Sequence, residues 1–399
     1  MTDILDSAHR PPAPRPPLVT RPLLLRFASI LGASAGFYLL LPVVPGYAAG
    51  HGGGGGAAGL VTGVLMLATV AGEVVTPALA GRLGYRTVLA AGLFLLGAPA
   101  LVLDAARGPF WILGVCLLRG LGFAFTVVAG GALTASLIPA ERRGEGLALV
   151  GLVSGVPGLV ALPLGPWLTA HAGYPAVFTA AAVVTLAALP SVPGLPDRIR
   201  AAGRPVGLAE GLRAPGLRRP AVVFAATTAT AGVVVTFLPL ALPSRPGLVA
   251  LALFAHSAAA TAARWLAGRH GDRHGPAVLV LPALLLSAAG TLLMAATGSR
   301  VAVVAGAVVF GAGFGVAQNA TLTLMYARVP ASGYATVSAV WNAAYDAGMG
   351  AGAAAFGWLA AGTGYSWAFT LTGAAVLAAV LPACRDRRAG SQALGMSKK

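Results

Sequence analysis

Two carboxyl groups stand inside long apolar runs of this chain: Glu73, between Val70-Ala71-Gly72 and Val74-Val75, and Asp346, in Val340-Trp341-Asn342-Ala343-Ala344-Tyr345-Asp346-Ala347-Gly348-Met349-Gly350. Low dielectric penalises a carboxylate's charge, and a group that takes up and returns a proton near neutral pH needs that penalty. Asn342 and Asp346, at i and i+4, share a helix face. With Trp341 that face offers stacking, an amide and a titratable acid to a substrate or a proton. The same residues could equally form an interhelical hydrogen-bond network that only holds a bundle together, and both readings apply to Glu73. Arg119, in Leu117-Leu118-Arg119-Gly120-Leu121-Gly122-Phe123, lies about nine residues into its run, ~14 Å at helical rise. An unpaired charge there costs at least ~2.5 kcal/mol, so Arg119 is expected to face a wet cavity or an acidic partner. His256 completes the ionisable set. Its ring could relay protons or sit neutral and hydrogen-bonded in a core.

Other chemistries find little material. No nucleophile stands with a base partner and no soluble catalytic domain is visible, so an enzyme is not expected. There is no His-rich metal set, and Cys116 and Cys384 have neither metal-ligand spacing nor a paired framework. His51-Gly52-Gly53-Gly54-Gly55-Gly56 lacks the Lys-Ser/Thr that grips phosphate and metal, and is expected to form a flexible external loop. The formal charge of +16 does not point to nucleic acid, because the arginines sit in short segments between apolar runs rather than on one solvated face.

The elements that must position these residues are membrane-spanning helices. Apolar residues make up 57% of the chain and charged residues 10%, with mean hydropathy +0.82, far from the roughly 25% charged composition of soluble domains. Crossing ~30 Å of hydrocarbon takes about 20 residues. Twelve segments qualify, near residues 23–47, 58–80, 87–104, 110–134, 145–168, 173–193, 220–243, 247–267, 276–297, 301–325, 334–362 and 365–384. The first is too long for a signal-peptide core and is read as a span. With the N-terminus in the cytoplasm, every Lys and Arg except Arg107, Arg245, Arg300 and the intramembrane Arg119 falls in a cytoplasmic segment or at its membrane edge. Positive charge therefore predicts cytoplasmic termini. The expected organisation is a disordered arm over 1–21, a six-helix bundle over 22–193, a cytoplasmic linker over 194–219, a second bundle over 220–384 and a tail over 385–399.

The two bundles are related by duplication. Leu79-Ala80-Gly81-Arg82-Leu83-Gly84-Tyr85-Arg86 returns as Leu266-Ala267-Gly268-Arg269-His270-Gly271-Asp272-Arg273, 187 positions on. Three other matches keep an offset of 191: Gly173-Tyr174 with Phe178-Thr179 against Gly364-Tyr365 with Phe369-Thr370, Ile138-Pro139-Ala140 against Val329-Pro330-Ala331, and Gly120-x-Gly122-Phe123 against Gly311-x-Gly313-Phe314.

Two six-span halves, a central linker and a Gly-Arg motif after the second span of each half resemble the major facilitator superfamily of secondary transporters, over roughly residues 20–385. The resemblance implies an all-α integral membrane fold of twelve helices in two pseudo-symmetric bundles. It also implies gating by Arg82, Gly84, Arg86, Arg269, Gly271 and Arg273, although the acid of the family's G-x-L-A-D-R-x-G motif is Gly81 here. Arg82 and Arg86 are expected to meet the negative ends of helix dipoles. Arg119 with its following glycines is similar to a second family signature, and Gly151, Gly155, Pro157, Gly158, Pro163, Gly165 and Pro166 match an exporter signature in part. By the same resemblance Tyr38, Gln318 and Asn319, together with Trp341 and Asn342, are substrate-contact candidates, and Glu73, Arg119 and Asp346 are proton-coupling candidates.

The expected protein is a multi-pass plasma-membrane transporter working by alternating access, exporting small apolar or amphiphilic molecules against protons. Its partners would be the bilayer, substrate and proton, with no cofactor, nucleic acid or obligate protein partner. Uptake of a sugar or organic acid, and a non-transporting sensor or scaffold, are the alternatives.

Overall fold

The computed structural model describes residues 17–106, 108–139, 142–197, 208–330 and 333–378. Most of the expected arm, residues 198–207 of the linker, the tail with Cys384, and Ala140 and Ala331 of the repeated loops lie outside the described residues. The described residues are mostly helical, because a backbone in hydrocarbon must satisfy its own polar groups, and eight helices or helical runs among them are long and apolar enough to cross a membrane.

The first half contains α1 (Arg21–Leu40), α2 (Gly54–Leu83), α3 (Tyr85–Gly97), α4 (Pro109–Leu137), α5 (143–172) and α6 (174–186). Helices α5 and α6 form one continuous run bent at Gly173, whose φ of 80° interrupts it. The second half contains α7 (Pro215–Ala241), α8 (Pro246–His274), α9 (Val280–Met294), α10 (Arg300–Tyr326), α11 (Tyr334–Thr363) and α12 (Tyr365–Ala378). Local chemistry sets several starts. Thr20 caps α1 by accepting the Leu23 amide, and Ser299 caps α10 by accepting that of Ala302. Prolines occupy the first turn of α4, α7 and α8.

Three sequence expectations need correction. The first span stops at Leu40, and the chain turns through Pro42 and a short helix, Val44–Ala48. The polyglycine segment is a short kinked turn rather than a long loop: His51 and Gly52 are non-helical, with Gly52 at φ 94°, and Gly54 opens α2. The linker is shorter than 194–219, because Leu208–Arg213 is helical and α7 begins at Pro215.

The duplication is written into the backbone. The described residues with positive φ include Gly84 and Gly275, which end α2 and α8, and Gly173 and Gly364, which end α5 and α11. Each pair is 191 positions apart. The octapeptide offset of 187 is therefore not the structural one. Gly271 is buried inside α8 and its carbonyl accepts the Gly275 amide at 2.8 Å, so Gly275, not Gly271, is the loop glycine equivalent to Gly84. In this register Arg273 matches Arg82 and Asp272 matches Gly81, so the second half keeps the acid that the first half lacks. Helix crossings repeat the offset. A Cβ on Gly122 would stand 2.7 Å from the Gly92 carbonyl oxygen, and one on Gly313 would stand 2.8 Å from that of Ala283.

The halves meet through α2 against α11 and through α5 against α8, two contacts exchanged by the same symmetry. The tight part of the α2–α11 seam lies toward the end away from Arg82, here called the far end. There Gly55, Gly59 and Gly63 face Gly357, Ala353 and Gly350 of the antiparallel partner, and a Cβ on Gly59 would stand 2.5 Å from the Ala353 carbonyl oxygen. Small residues admit this approach. Beside them Thr62 and Thr236 share a hydrogen bond of 2.9 Å between α2 and α7.

Candidate functional site

Below the far-end seam, a set of polar side chains projects between the halves. Glu73 comes from α2, Tyr38 from α1, Tyr345 and Asp346 from α11. Asp346 is 4% exposed, while Tyr38, Glu73 and Tyr345 are half-buried. Glu73 and Asp346 stand on α2 and α11, the helices that pack against each other between the halves. The structure therefore places two of the three proton-coupling candidates on facing helices of opposite halves.

It also adds a residue that sequence reasoning assigned to the membrane edge. Arg264 lies on α8, eleven residues before Gly275, and Glu73 lies eleven residues before Gly84 on α2. The two are symmetry mates of opposite charge. Arg264 is exposed. The signal available in the sequence was the 191 offset from Glu73.

Arg119 does something other than expected. It is 3% exposed, and its guanidinium donates to the Leu96 carbonyl of α3 at 3.0 Å and the Gly36 carbonyl of α1 at 3.1 Å. Neither an acid nor the cleft receives it. Beside it is a void of about 10 Å³, bounded by Phe37, Thr62, Leu65 and Cys116, room for one water at most. Main-chain carbonyls thus compensate the charge, and Arg119 staples α4 to α1 and α3. A second such staple went unnoticed in the sequence. Arg26, 4% exposed, donates to the Gly130 carbonyl at 2.9 Å, Thr134 Oγ1 at 3.0 Å and Ser29 Oγ at 2.6 Å. Gly130 leaves the space that the guanidinium fills.

The remaining candidates divide. Trp341 is anchored in the second half: its ring stacks on Phe224 at 4.4 Å and its indole N–H donates to Thr321 Oγ1 at 3.2 Å. Asn342 and Gln318 are half-buried, and Asn319 packs toward α8, its Nδ2 3.3 Å from where a Gly268 Cβ would be. His256 is in the core, stacked on Phe310 at 5.2 Å, but its Nδ1 has no hydrogen-bond partner. Phe310 occupies the position equivalent to Arg119, and the His256 carbonyl lies against Gly311 just as that of Leu65 lies against Gly120.

At the end bearing Arg82, the turn after α2 clasps the chain leaving α6. Arg86 donates to the Leu195 carbonyl, the Tyr85 amide donates to the Asp197 carbonyl at 3.1 Å, and the Asp197 carboxylate presses on Gly84 where any Cβ would collide with it. Arg86 thus meets a main-chain carbonyl of a non-helical segment. Arg82 is exposed, and Arg269 lies over the Trp265 ring at 4.8 Å. At the far end, a groove of about 360 Å³ is lined by Pro42, Pro166, Pro239, Pro243, Thr169 and Tyr174, with no charged side chain in its wall.

Comparison with known proteins agrees with this architecture. The sequence profile of the Major Facilitator Superfamily matches residues 26–245 and 220–394. A chloramphenicol resistance protein of Streptomyces lividans is 30% identical over 291 residues, 68% of this chain and 70% of that protein. Among solved structures, the nucleoside transporter NupG superposes with a TM-score of 0.70 at 14% identity, over 92% of this chain and 99% of its own. A bacterial homolog of the human lysosomal transporter Spinster, inward-facing and occupied, gives 0.74 at 14%, over 92% and 96%. The human organic anion transporter MFSD10 gives 0.65 at 19%, over 94% and 100%.

Proposed function

Because the chain belongs to the major facilitator superfamily and is a multi-pass membrane transporter rather than an enzyme, we propose that it exports small, largely apolar or amphiphilic molecules in exchange for protons, by alternating access. The observation that carries this reading is the meeting of Glu73 and Asp346. They come from different halves, on two helices that pack against each other, and form no ion pair among the described residues. Ionisable groups on facing helices inside a membrane mark a proton pathway. One of them keeps a proton until the cleft changes sides or a ligand alters the balance.

The arginine-rich end is the cytoplasmic end, by the distribution of positive charge, and the membrane is the plasma membrane. The cleft then opens inward beneath the far-end seam, and rocking the halves would close the cytoplasmic end and part the seam. The apolar and aromatic surroundings, with Phe224, Phe314 and Trp341 near Tyr345, suit an amphiphile. The Streptomyces lividans relative supports export as the direction, since a membrane transporter confers resistance by removing the toxic compound, and makes chloramphenicol the first compound to assay.

The test is transport into everted membrane vesicles, with and without an imposed pH gradient, for chloramphenicol and a panel of chemically diverse compounds. Gradient-driven accumulation is expected for the intact protein and is lost in Asp346→Asn and in Glu73→Gln. If both variants keep it, proton carriage by this pair is wrong.

A further inference from the structure

The symmetry of the two halves calls for a second glycine seam that the far end does not have. On the α2–α11 side Gly55 meets Gly357, and a Cβ on Gly357 would stand 2.5 Å from the Gly55 carbonyl oxygen. The offset of 191 carries Gly55 to Pro246 on α8 and Gly357 back to Pro166 on α5. Where two glycines close one crossing, two prolines line the groove of about 360 Å³ at the other. Both halves build its wall, the first with Pro42, Pro166 and Tyr174 and the second with Pro239, Pro243 and Val249. Its volume lies in the range of small-molecule sites, roughly 300–1,000 Å³. Proline fixes its own backbone angle and brings no main-chain N–H, so the wall is apolar, preformed and has little freedom to lose when covered. Its polar groups are few. The Tyr174 ring is met edge-on by Tyr47 at 5.1 Å, and Tyr47 is itself tied down by donating to Asp104 Oδ1 at 2.8 Å. The Tyr174 hydroxyl has no hydrogen-bond partner among the described residues. Thr169 donates its proton to the Gly165 carbonyl at 2.9 Å, which leaves its oxygen to accept. A free phenol beside an acceptor, in a wall without charge, suits a neutral molecule that carries a hydroxyl.

We propose that this groove is a second binding site, separate from the space around Glu73 and Asp346, for a neutral amphiphile of drug size, and that its occupant clamps the far end shut. Each half supplies part of the wall, so parting the halves dismantles the site. A ligand that binds only the closed arrangement must stabilise it. At ten times its dissociation constant such a ligand lowers the open population about elevenfold. A neutral cargo that accumulates outside would then slow its own export. That last consequence rests on the export reading above; the site and the clamp do not.

Maleimide labelling of the purified full chain, with no gradient and with Cys116 and Cys384 replaced by alanine, tests both parts, using chloramphenicol as the probe. Ala170→Cys, exposed in the groove wall, reports occupancy, and Thr236→Cys, fully buried beside the seam, reports opening. Chloramphenicol at ten times its dissociation constant should slow labelling at each position about tenfold. Gly46→Leu fills the groove, because the one atom within 4 Å of a Gly46 Cβ is the Tyr174 hydroxyl oxygen at 3.5 Å, and it should abolish both effects. Tyr174→Phe, which serves where Gly46→Leu does not fold, should weaken the protection about fivefold. Protection should persist in Glu73→Gln and Asp346→Asn. No protection of Ala170→Cys, or protection that survives Gly46→Leu and Tyr174→Phe unchanged, overturns the site. Shielding without added chloramphenicol that Gly46→Leu relieves means that a lipid or detergent chain fills the groove, and overturns it too. Protection of Ala170→Cys with unaltered labelling of Thr236→Cys overturns the clamp. Failure of gradient-driven transport beside the expected labelling pattern would sink proton-coupled export and leave the groove standing.

Discussion

Gly59 is the position where the far-end seam can be forced apart by the smallest change. A Cβ there would stand 2.5 Å from the Ala353 carbonyl oxygen and 3.1 Å from the Ala354 Cα. Both atoms are main chain, so no side chain can rotate away. Ordinary carbon contacts sit near 3.5 Å, so Gly59→Ala must separate α2 from α11 by roughly 1 Å. Overpacking of this kind costs ~1–3 kcal/mol, and because the penalty exists only while the seam is closed, it favours the state with the far end open by roughly 5- to 150-fold. The reporter is Thr236→Cys in a chain with Cys116 and Cys384 replaced by alanine, since Thr236 is fully buried against Thr62. Labelling by a membrane-impermeant maleimide should accelerate by that factor when Gly59→Ala is added. Gly56→Ala is the control, because a Cβ at Gly56 meets nothing within 4 Å, and it should leave the rate unchanged. Equal labelling with and without Gly59→Ala, in protein that remains monodisperse, would refute the assignment of the seam as the closing surface.

Two other outcomes follow from the inner end and the first bundle. Arg119→Leu removes two charge-assisted hydrogen bonds, to the Leu96 and Gly36 carbonyls; at ~1.5–3 kcal/mol for each bond to a charged group, the thermal midpoint in detergent should fall by several degrees, and an unchanged midpoint would contradict the staple. Gly84→Ala faces both a φ of 86° with ψ of 154° and the Asp197 carboxylate, so the clasp on the chain leaving α6 should loosen at a backbone cost of ~1–3 kcal/mol, read as faster tryptic cleavage at Arg198 and Arg200 than in the parent.

Much of the architecture was legible because hydrocarbon leaves a backbone few options, and the lengths of the apolar runs encode the spans. The duplication was also visible, but its register was not. The octapeptide aligned Gly271 with Gly84, whereas the turn that needs positive φ falls four residues later, at Gly275, where Pro276 follows and α8 can run on no further. Glu73, Asp346 and Tyr38 could be picked out as polar residues in apolar surroundings. Arg264 could not, because Arg269 and Arg273 follow it so closely that all three read as one basic edge. The partners of Arg119, and the Gly130 partner of Arg26, were illegible for another reason: they are main-chain carbonyls of other helices, and every residue type has one. Only Gly130, whose missing side chain leaves room for the Arg26 guanidinium, leaves a trace in the sequence.

The Thr62–Thr236 bond and the glycine contacts around it behave differently when the far end parts. Two hydroxyls that separate into water exchange one partner for another, a net change of only ~1 kcal/mol. Dispersion between closely opposed backbones falls by a quarter to a half over a gap of 0.5–1 Å. Resistance to opening is thus concentrated in the first ångström, so the seam is either shut or fully released, with little population between. A half-parted seam would be a thread of water through the bundle. By making partial separation the least favourable arrangement, the run of glycines along α2 keeps that thread from forming.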